Sequence, residues 1–269
     1  MSDRVHASYE DLWGELMFVM YDPEHLRFVN RGRADWFESL GIAGKRILDL
    51  GSGNGYFDLE LGRRGYEVVA VDQVRPVVEA AQRLRTDESV EFIVSDLRDV
   101  EFEEESFDAA TLFGVTGMLS VEEDTQLLED CFTWLKPGGS LLVDSDVNLA
   151  ETETIEAEHE LGLIKWNWTS DPDTRTNMLT PELYRKDGVV VGLKDPVDPA
   201  KGDHEGLHRY IYPKEALTDV LTSIGFQVSE VGHYVQYVFP DSEADRYMLK
   251  ATADKSQLAD NRQSIADTQ

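Results

Sequence analysis

The chain has 269 residues, with 53 Asp and Glu against 25 Lys and Arg, a formal net charge of −28 and a pI near 4.4. That length suffices for one α/β domain with insertions and needs no covalent staple, and a single cysteine, Cys131, excludes disulfide frameworks and thiolate metal clusters. The acidic surface argues against nucleic-acid partners, whose phosphates call for basic side chains.

The elements follow in chain order. From Tyr9 to Leu40 apolar and aromatic residues recur at helical spacing, with Asp22-Pro23 dividing two helices and Gly41 to Gly44 ending them. A strand–helix alternation then begins: strand Arg46–Leu50, the turn Gly51-Ser52-Gly53-Asn54-Gly55, helix Tyr56–Arg64 and strand Glu67–Val71. Helix Pro76–Leu84, strand Val90–Val94 and strand Phe107–Phe113 continue it. Ser120 opens a helix with Glu123 placed for a capping box, and Cys131 lies on its apolar side as a core thiol. Lys136-Pro137-Gly138-Gly139 turns the chain into a fifth strand, Ser140–Asp144. This alternation predicts a parallel sheet covered by helices on both faces.

After Asp146 the rhythm fails. Val147 to Leu207 is acidic and rich in turn residues, and it reads as an irregular insertion carrying Trp166 and Trp168. Order returns with a helix from Pro213 to Ile224, a strand Phe226–Val231 and an apolar segment Arg246–Ala251 expected to pair back as an antiparallel hairpin. The expected organisation is a helical cap over 1–44, a nucleotide-binding core over 45–146, an acceptor-side insertion over 147–212, the rest of the core over 213–253 and a disordered polar tail over 254–269. No run approaches the roughly 20 apolar residues of a membrane helix. Met1-Ser2-Asp3-Arg4 does not open a signal peptide, so a cytoplasmic protein is expected.

In open α/β sheets a ligand binds outside the carboxyl ends of the strands, where their order reverses. A glycine-rich turn there lets the ligand approach the backbone and aims a helix N-terminus at it. Three acids line that edge: Asp49 near the end of the first strand, Asp72 at the end of the second and Asp96 at the end of the third. A carboxylate at Asp72 can accept both hydroxyls of a ribose, and Asp96 can reach a purine amine. A nicotinamide dehydrogenase would need Gly-x-Gly-x-x-Gly, and Tyr56 stands where its third glycine belongs.

Ile47-Leu48-Asp49-Leu50-Gly51-Ser52-Gly53-Asn54-Gly55 resembles the first motif of class I S-adenosylmethionine (SAM)-dependent methyltransferases. Asp72, Asp96-Leu97, Ser106-Phe107-Asp108 and Leu135-Lys136-Pro137-Gly138-Gly139 match that family's later motifs in order. The resemblance covers about Lys45 to Asp144, plus the closing segment around Pro213 to Val231. It implies a three-layer Rossmann-like α/β sheet, mostly parallel with an antiparallel C-terminal strand, a helical cap and an insertion after the fifth strand. It also implies SAM as cofactor, with Gly51, Gly53 and Gly55 beside its methionine part, Asp72 with Gln73 at the ribose, Asp96 and Leu97 at adenine, and Phe113 to Val115 facing the methyl group.

Methyl transfer from a sulfonium is a direct in-line displacement, so positioning can supply about 7–11 kcal/mol of the barrier, and a general base is needed only for an acceptor that arrives protonated. The expected acceptor is the oxygen or nitrogen of a small molecule. RNA or protein methylation and a non-catalytic SAM-binding module are the alternatives. Asn30-x-x-Arg33 resembles the corresponding stretch of ubiquinone-biosynthesis O-methyltransferases and implies Arg33 as partner of the methionine carboxylate. His204, His208 and Tyr210, just before the Pro213 helix, are the candidate catalytic residues, and scattered histidines point to no bound metal. With nine Lys against sixteen Arg and acids throughout, the composition resembles that of extreme halophiles, whose proteins work where molar salt screens self-repulsion.

Overall fold

A computed structural model describes residues 4–7, 11–12, 14, 16, 23–86, 89–146, 153–159, 162–193, 207–238 and 246–256. In chain order its first elements are β1 (Arg4–Ala7), α1 (Pro23–Ser39), β2 (Arg46–Leu50), α2 (Tyr56–Arg63), β3 (Glu67–Asp72), α3 (Arg75–Leu84) and β4 (Val90–Val94). There follow β5 (Phe107–Leu112), α4 (Val121–Trp134), β6 (Leu135–Asp146), β7 (Glu153–His159), β8 (Gly162–Asp171), β9 (Thr176–Arg185) and β10 (Val190–Leu193). The last are β11 (Leu207–Tyr210), α5 (Lys214–Ile224), β12 (Phe226–Val231), α6 (Tyr234–Val238) and β13 (Arg246–Ala253).

Among the described residues, seven strands form one sheet in the order β12-β13-β6-β5-β2-β3-β4. β4, β3, β2, β5 and β6 run parallel, and β13 lies antiparallel between β6 and β12. The period of two along each strand sorts side chains between two cores. Ile47, Val68, Ala70 and Leu142 pack with α1, α2 and α3, among them Trp36, Phe37, Phe57 and Val78. Leu48, Leu50, Val69, Val71, Leu141 and Val143 pack with α4 and α5, through Leu127, Leu128, Cys131, Leu217 and Leu221. Cys131 is a core thiol whose burial pushes its pKa far up, as befits an inert group. The capping box forms: the Ser120 hydroxyl accepts from the Glu123 amide at 3.2 Å, and the Glu123 carboxylate accepts from the Ser120 amide at 3.0 Å. Among the described residues no helix is long and apolar enough to cross a membrane.

The Lys136-Pro137-Gly138-Gly139 motif has a structural use at the amino edge of the sheet, away from the candidate site. Leu135 pairs with Phe107, and pairing resumes only at Ser140 with Ala109, so the motif bulges opposite Asp108. The Asp108 carboxylate accepts from the Lys45 and Arg46 amides at 2.9 Å each and from Lys136 Nζ at 2.7 Å. Burial alone would raise its pKa, but Lys136 and the two amides hold it below the ordinary carboxylate range. Asp108→Ala should cost about 1–3 kcal/mol of stability, the loss of a charged acceptor and its donors, read as a lower midpoint in denaturant unfolding. It should leave ligand affinity at the opposite edge unchanged, as titration of the same variant would check.

Several expectations need correction. The stretch read as an irregular insertion holds β7 to β11, which with β1 make a second, mostly antiparallel sheet in the order β1-β10-β9-β8-β7, with β11 also on β9. Its turn residues are hairpin chemistry: Asp171 Oδ1 accepts from the Asp173 amide at 2.9 Å between β8 and β9. Burial along β9 alternates strictly at Asn177, Leu179, Pro181 and Leu183. The segment between β12 and β13 is not a short turn but contains α6. Pro213 is the N-cap of α5 rather than its first helical residue, and the fifth strand runs longer than Ser140–Asp144. Of the expected first helix only a few residues are described, and the expected disordered tail lies, beyond 256, outside the described residues.

Candidate functional site

The strand order reverses between β2 and β5, which places a crevice at their carboxyl ends. There the Thr111 hydroxyl of β5 donates to Asp49 Oδ1 of β2. The glycine turn follows directly. The Gly51 and Ser52 amides donate to the Val71 carbonyl at 2.8 and 2.9 Å, bending the turn over the end of β3. Gly51 has φ +83°, and a Cβ there would lie 2.2 Å from Val115 Cγ2, so neither its conformation nor its surroundings admit a side chain. Gly55, at φ +71°, would place a Cβ 2.7 Å from Ala81 and Phe92, so it is required by packing of α2 on its neighbours.

Asp72 ends β3 as expected. Its Oδ2 accepts from the Gly53 amide and its Oδ1 from the Val74 amide, each at 2.9 Å, so it shapes the glycine turn as well as lining the edge. Burial, opposed by those amides, raises its pKa. Gln73 beside it is exposed. Asp96 lies past β4 with its carboxylate in a bidentate pair with Arg98, 2.7 Å from Nη2 and 2.9 Å from Nε, and Arg98 reaches on to Glu123 at 3.2 Å. A purine amine there would use lone pairs that Arg98 leaves over. Leu97 packs against the α4-side core.

Phe113 leaves β5 among Trp36, Phe57 and Tyr234, with ring centroids 5.9 to 6.0 Å apart. The Arg33 guanidinium from α1 lies over Phe113, Phe57 and Tyr234, at 4.1, 4.3 and 4.7 Å from the centroids. Its Nε is buried with no hydrogen-bond partner, and so is Ser52 Oγ of the glycine turn. Orphaned donors beside a glycine turn fit an incoming carboxylate. The chemistry of this edge therefore fits SAM: Arg33 and Ser52 for the carboxylate, Asp49 for the ammonium, Asp72 for the ribose.

On the other side of the crevice, past β5, the second sheet meets the core through β11 and the residues after it. Arg209 donates to Asp146 at 3.3 Å and to the Gly114 carbonyl, and the Tyr210 amide donates to the Gly117 carbonyl at 2.7 Å. A Cβ on Gly117 would fall 2.0 Å from that Tyr210 carbonyl oxygen. Tyr210 stacks edge-on against Tyr212, whose hydroxyl donates to buried Asp124 at 3.1 Å. Burial, opposed by the Gly117 amide and Tyr212, pushes the Asp124 pKa up to about 7. Below Gly114, the buried Asp144 accepts from the Gly114 amide at 2.7 Å and from Arg246 Nε at 2.9 Å, with His233 Nε2 at 3.2 Å. Burial alone would raise its pKa, but Arg246 and these donors hold it far below the ordinary range. His233 Nδ1 accepts from the Val235 amide, which leaves its Nε2 to donate to Asp144.

Thus Arg33, Asp49, Gly51, Gly53, Gly55, Asp72 and Phe113 gather around one crevice, and Asp96 with Leu97 extends it along the edge. Of the candidate catalytic residues, Tyr210 stands beside the loop after β5. His208 is placed only by its backbone pairing with Met178, and His204 lies outside the described residues. Sequence reasoning missed Asp58, Thr111, Asp144, Arg209 and Tyr234. Asp144 was visible as the end of the fifth strand, but its partner Arg246 lies 102 residues away. Among the described residues no group of three or more His, Cys, Asp or Glu is arranged to hold a metal ion.

Residues 48–143 match a family model described as a methyltransferase domain. Over 103 residues the chain is 38% identical to the demethylmenaquinone methyltransferase of Clavibacter sepedonicus, a match covering 38% of this chain and 41% of that protein. Over 152 residues it is 32% identical to a ubiquinone biosynthesis O-methyltransferase of Xanthomonas oryzae, covering 54% of this chain and 63% of the relative. The chain therefore spans about two fifths of the first of these curated relatives and less than two thirds of the second. Among solved structures, the CcbJ methyltransferase of Streptomyces caelestis superposes with a TM-score of 0.66 at 16% identity, covering 84% of this chain and 89% of that one. A SAM-bound amino pentose methyltransferase of Micromonospora echinaspora gives a TM-score of 0.57 at 17% identity, covering 82% and 88%. The described architecture is the fold of these solved methyltransferase structures, and residues 48–143 match the methyltransferase domain model within it.

Proposed function

We propose that this chain is a SAM-dependent methyltransferase acting in the cytoplasm on an oxygen or nitrogen of a small-molecule acceptor. The observation that carries the cofactor assignment is the crevice at the switch point. A side-chain-free glycine turn is clamped to Val71 and Asp72 there, with orphaned Arg33 Nε and Ser52 Oγ beside it. When bound, the cofactor supplies a methyl group activated on a sulfonium. The chain's own part is positioning and exclusion of water. Phe113, Phe57 and Tyr234 wall the crevice on the α1 side, and the loop from Gly114 to Gly117, held by Arg209 and Tyr210, faces it from the other.

The second sheet, whose strand β11 docks on the loop after β5 through Arg209 and Tyr210, is the layer that would face the acceptor. Structural neighbours that share the fold over more than four fifths of this chain include, by title, an amino pentose methyltransferase and a sugar N-methyltransferase, which supports an amine among the acceptors to try first. The buried Asp124, poised near neutrality, accepts from the Gly117 amide, and the Tyr210 amide donates to the Gly117 carbonyl, so both hold the loop after β5 in place rather than act as a base.

Calorimetric titration with SAM in molar and in dilute salt should show binding, strongest at high salt if the acidic surface is a salt adaptation. Transfer of tritiated methyl should then label a small-molecule fraction of a metabolite extract. Labelling of added RNA or protein instead would overturn the acceptor class, and lack of SAM binding at any salt would overturn the whole proposal.

A further inference from the structure

Asp58 stands in the first turn of α2, wholly buried, with neither carboxyl oxygen meeting a donor from another residue. An acid at this helical position ordinarily bonds back to the N-cap amide. Here the Gly55 amide instead donates to the Ser52 carbonyl at 3.2 Å, and the cap has no side-chain bond. The group within hydrogen-bond reach of Asp58 is another carboxyl, that of Asp49 on β2. Two carboxyls bond one another only when one of them keeps a proton.

The charge balance agrees. Arg33 on α1 faces both acids, and Asp72 on β3 lies across the glycine turn from Asp49. Two ionised acids beside one guanidinium would leave an uncompensated buried charge, whereas a shared proton leaves Arg33 opposed by one. The Thr111 hydroxyl already donates to Asp49 from β5. A second donor, on α2, would fix the Asp49 carboxylate from two directions.

We propose that Asp58 is a positioning residue for cofactor capture: it keeps a proton, donates it in a hydrogen bond to Asp49, and holds that single negative charge at the switch point for the ammonium of the methionine end. This rests on the cofactor assignment above. Burial first, and then the nearby Asp49 charge, raises the Asp58 pKa well above its ordinary 3.8. The folded state therefore holds this proton more tightly than the unfolded state. Its contribution to stability is complete below pH 3.8 and is lost as pH rises toward the folded value.

The test compares wild type, Asp58→Asn and Asp58→Ala by thermal unfolding across pH, infrared spectroscopy and SAM titration. Asparagine keeps a donor toward Asp49 and cannot ionise. Asp58→Asn should bind SAM within about threefold of wild type, while Asp58→Ala should lose about tenfold, one hydrogen bond to a charged group. Wild type should lose melting temperature relative to Asp58→Asn as pH rises from about 4 to about 8. Near neutral pH wild type should show a protonated carboxylic-acid carbonyl band that is absent from Asp58→Asn, beside the Asp124 contribution common to both. Parallel pH profiles, absence of that band from wild type, or equal losses in both variants would overturn the proposal. If wild type shows the band but binds no SAM, the shared proton stands, and it is the cofactor assignment, with the role built on it, that falls.

Discussion

Asp72→Ala is expected to weaken SAM binding by about 100- to 1,000-fold while leaving the chain folded. Two ribose hydroxyls donating to one carboxylate are charge-assisted bonds, each worth about 1.5–3 kcal/mol. The same carboxylate also accepts the Gly53 and Val74 amides, so the variant loosens the glycine turn as it removes the ribose acceptor. Relief of the cost of burying Asp72 offsets part of the lost stability, and the melting temperature should fall by only a few degrees. Calorimetric titration gives the affinity, and scanning calorimetry shows whether the fold survives. A folded variant with wild-type affinity would refute the ribose role.

The largest loss of stability should come from Asp144→Ala, about 3–5 kcal/mol, because it leaves the buried Arg246 and the Gly114 amide without their shared acceptor. For a chain of this size that is a fall of roughly 10 °C in melting temperature. The pH dependence has a fixed sign. The folded pKa of Asp144 lies below its ordinary 3.8, so its stabilisation is present above that value and is lost as pH falls through the folded one. The gap between wild type and variant should therefore hold constant above about pH 5 and close only in strong acid. Asp144→Leu combined with Arg246→Leu should recover part of the loss, since an apolar pair leaves no orphaned charge. If the double variant is less stable than the sum of the two single effects, the pair is not the source of the cost.

The parallel half of the main sheet was legible in the sequence because its strands are short apolar runs bounded by glycines, and the cofactor edge because Asp49, Asp72 and Asp96 end consecutive strands. Both are local signals. The second sheet was not legible as such: β8 carries Lys165, Asn167 and Thr169 between its aromatics, and its hairpin residues Asp171-Pro172-Asp173 read only as turns of an insertion when no partner strand is known. In sequence Asp58 is one more acid in the first turn of a helix, and only packing against Asp49 sets it apart. Arg209, Arg246 and Tyr234 acquire their meaning from partners close to a hundred residues or more away, which no local pattern reveals.

The place of β13 between β6 and β12 has a consequence for synthesis on the ribosome. Until Arg246 emerges, 100 residues after its partner Asp146, β6 is an exposed sheet edge and Asp144 lacks its guanidinium. The second sheet, whose hairpin contacts are near in sequence, can form while the main sheet still waits for its seventh strand. A nascent chain thus completes the acceptor-side layer before the cofactor-side sheet is closed, and the bond network under Gly114 locks last.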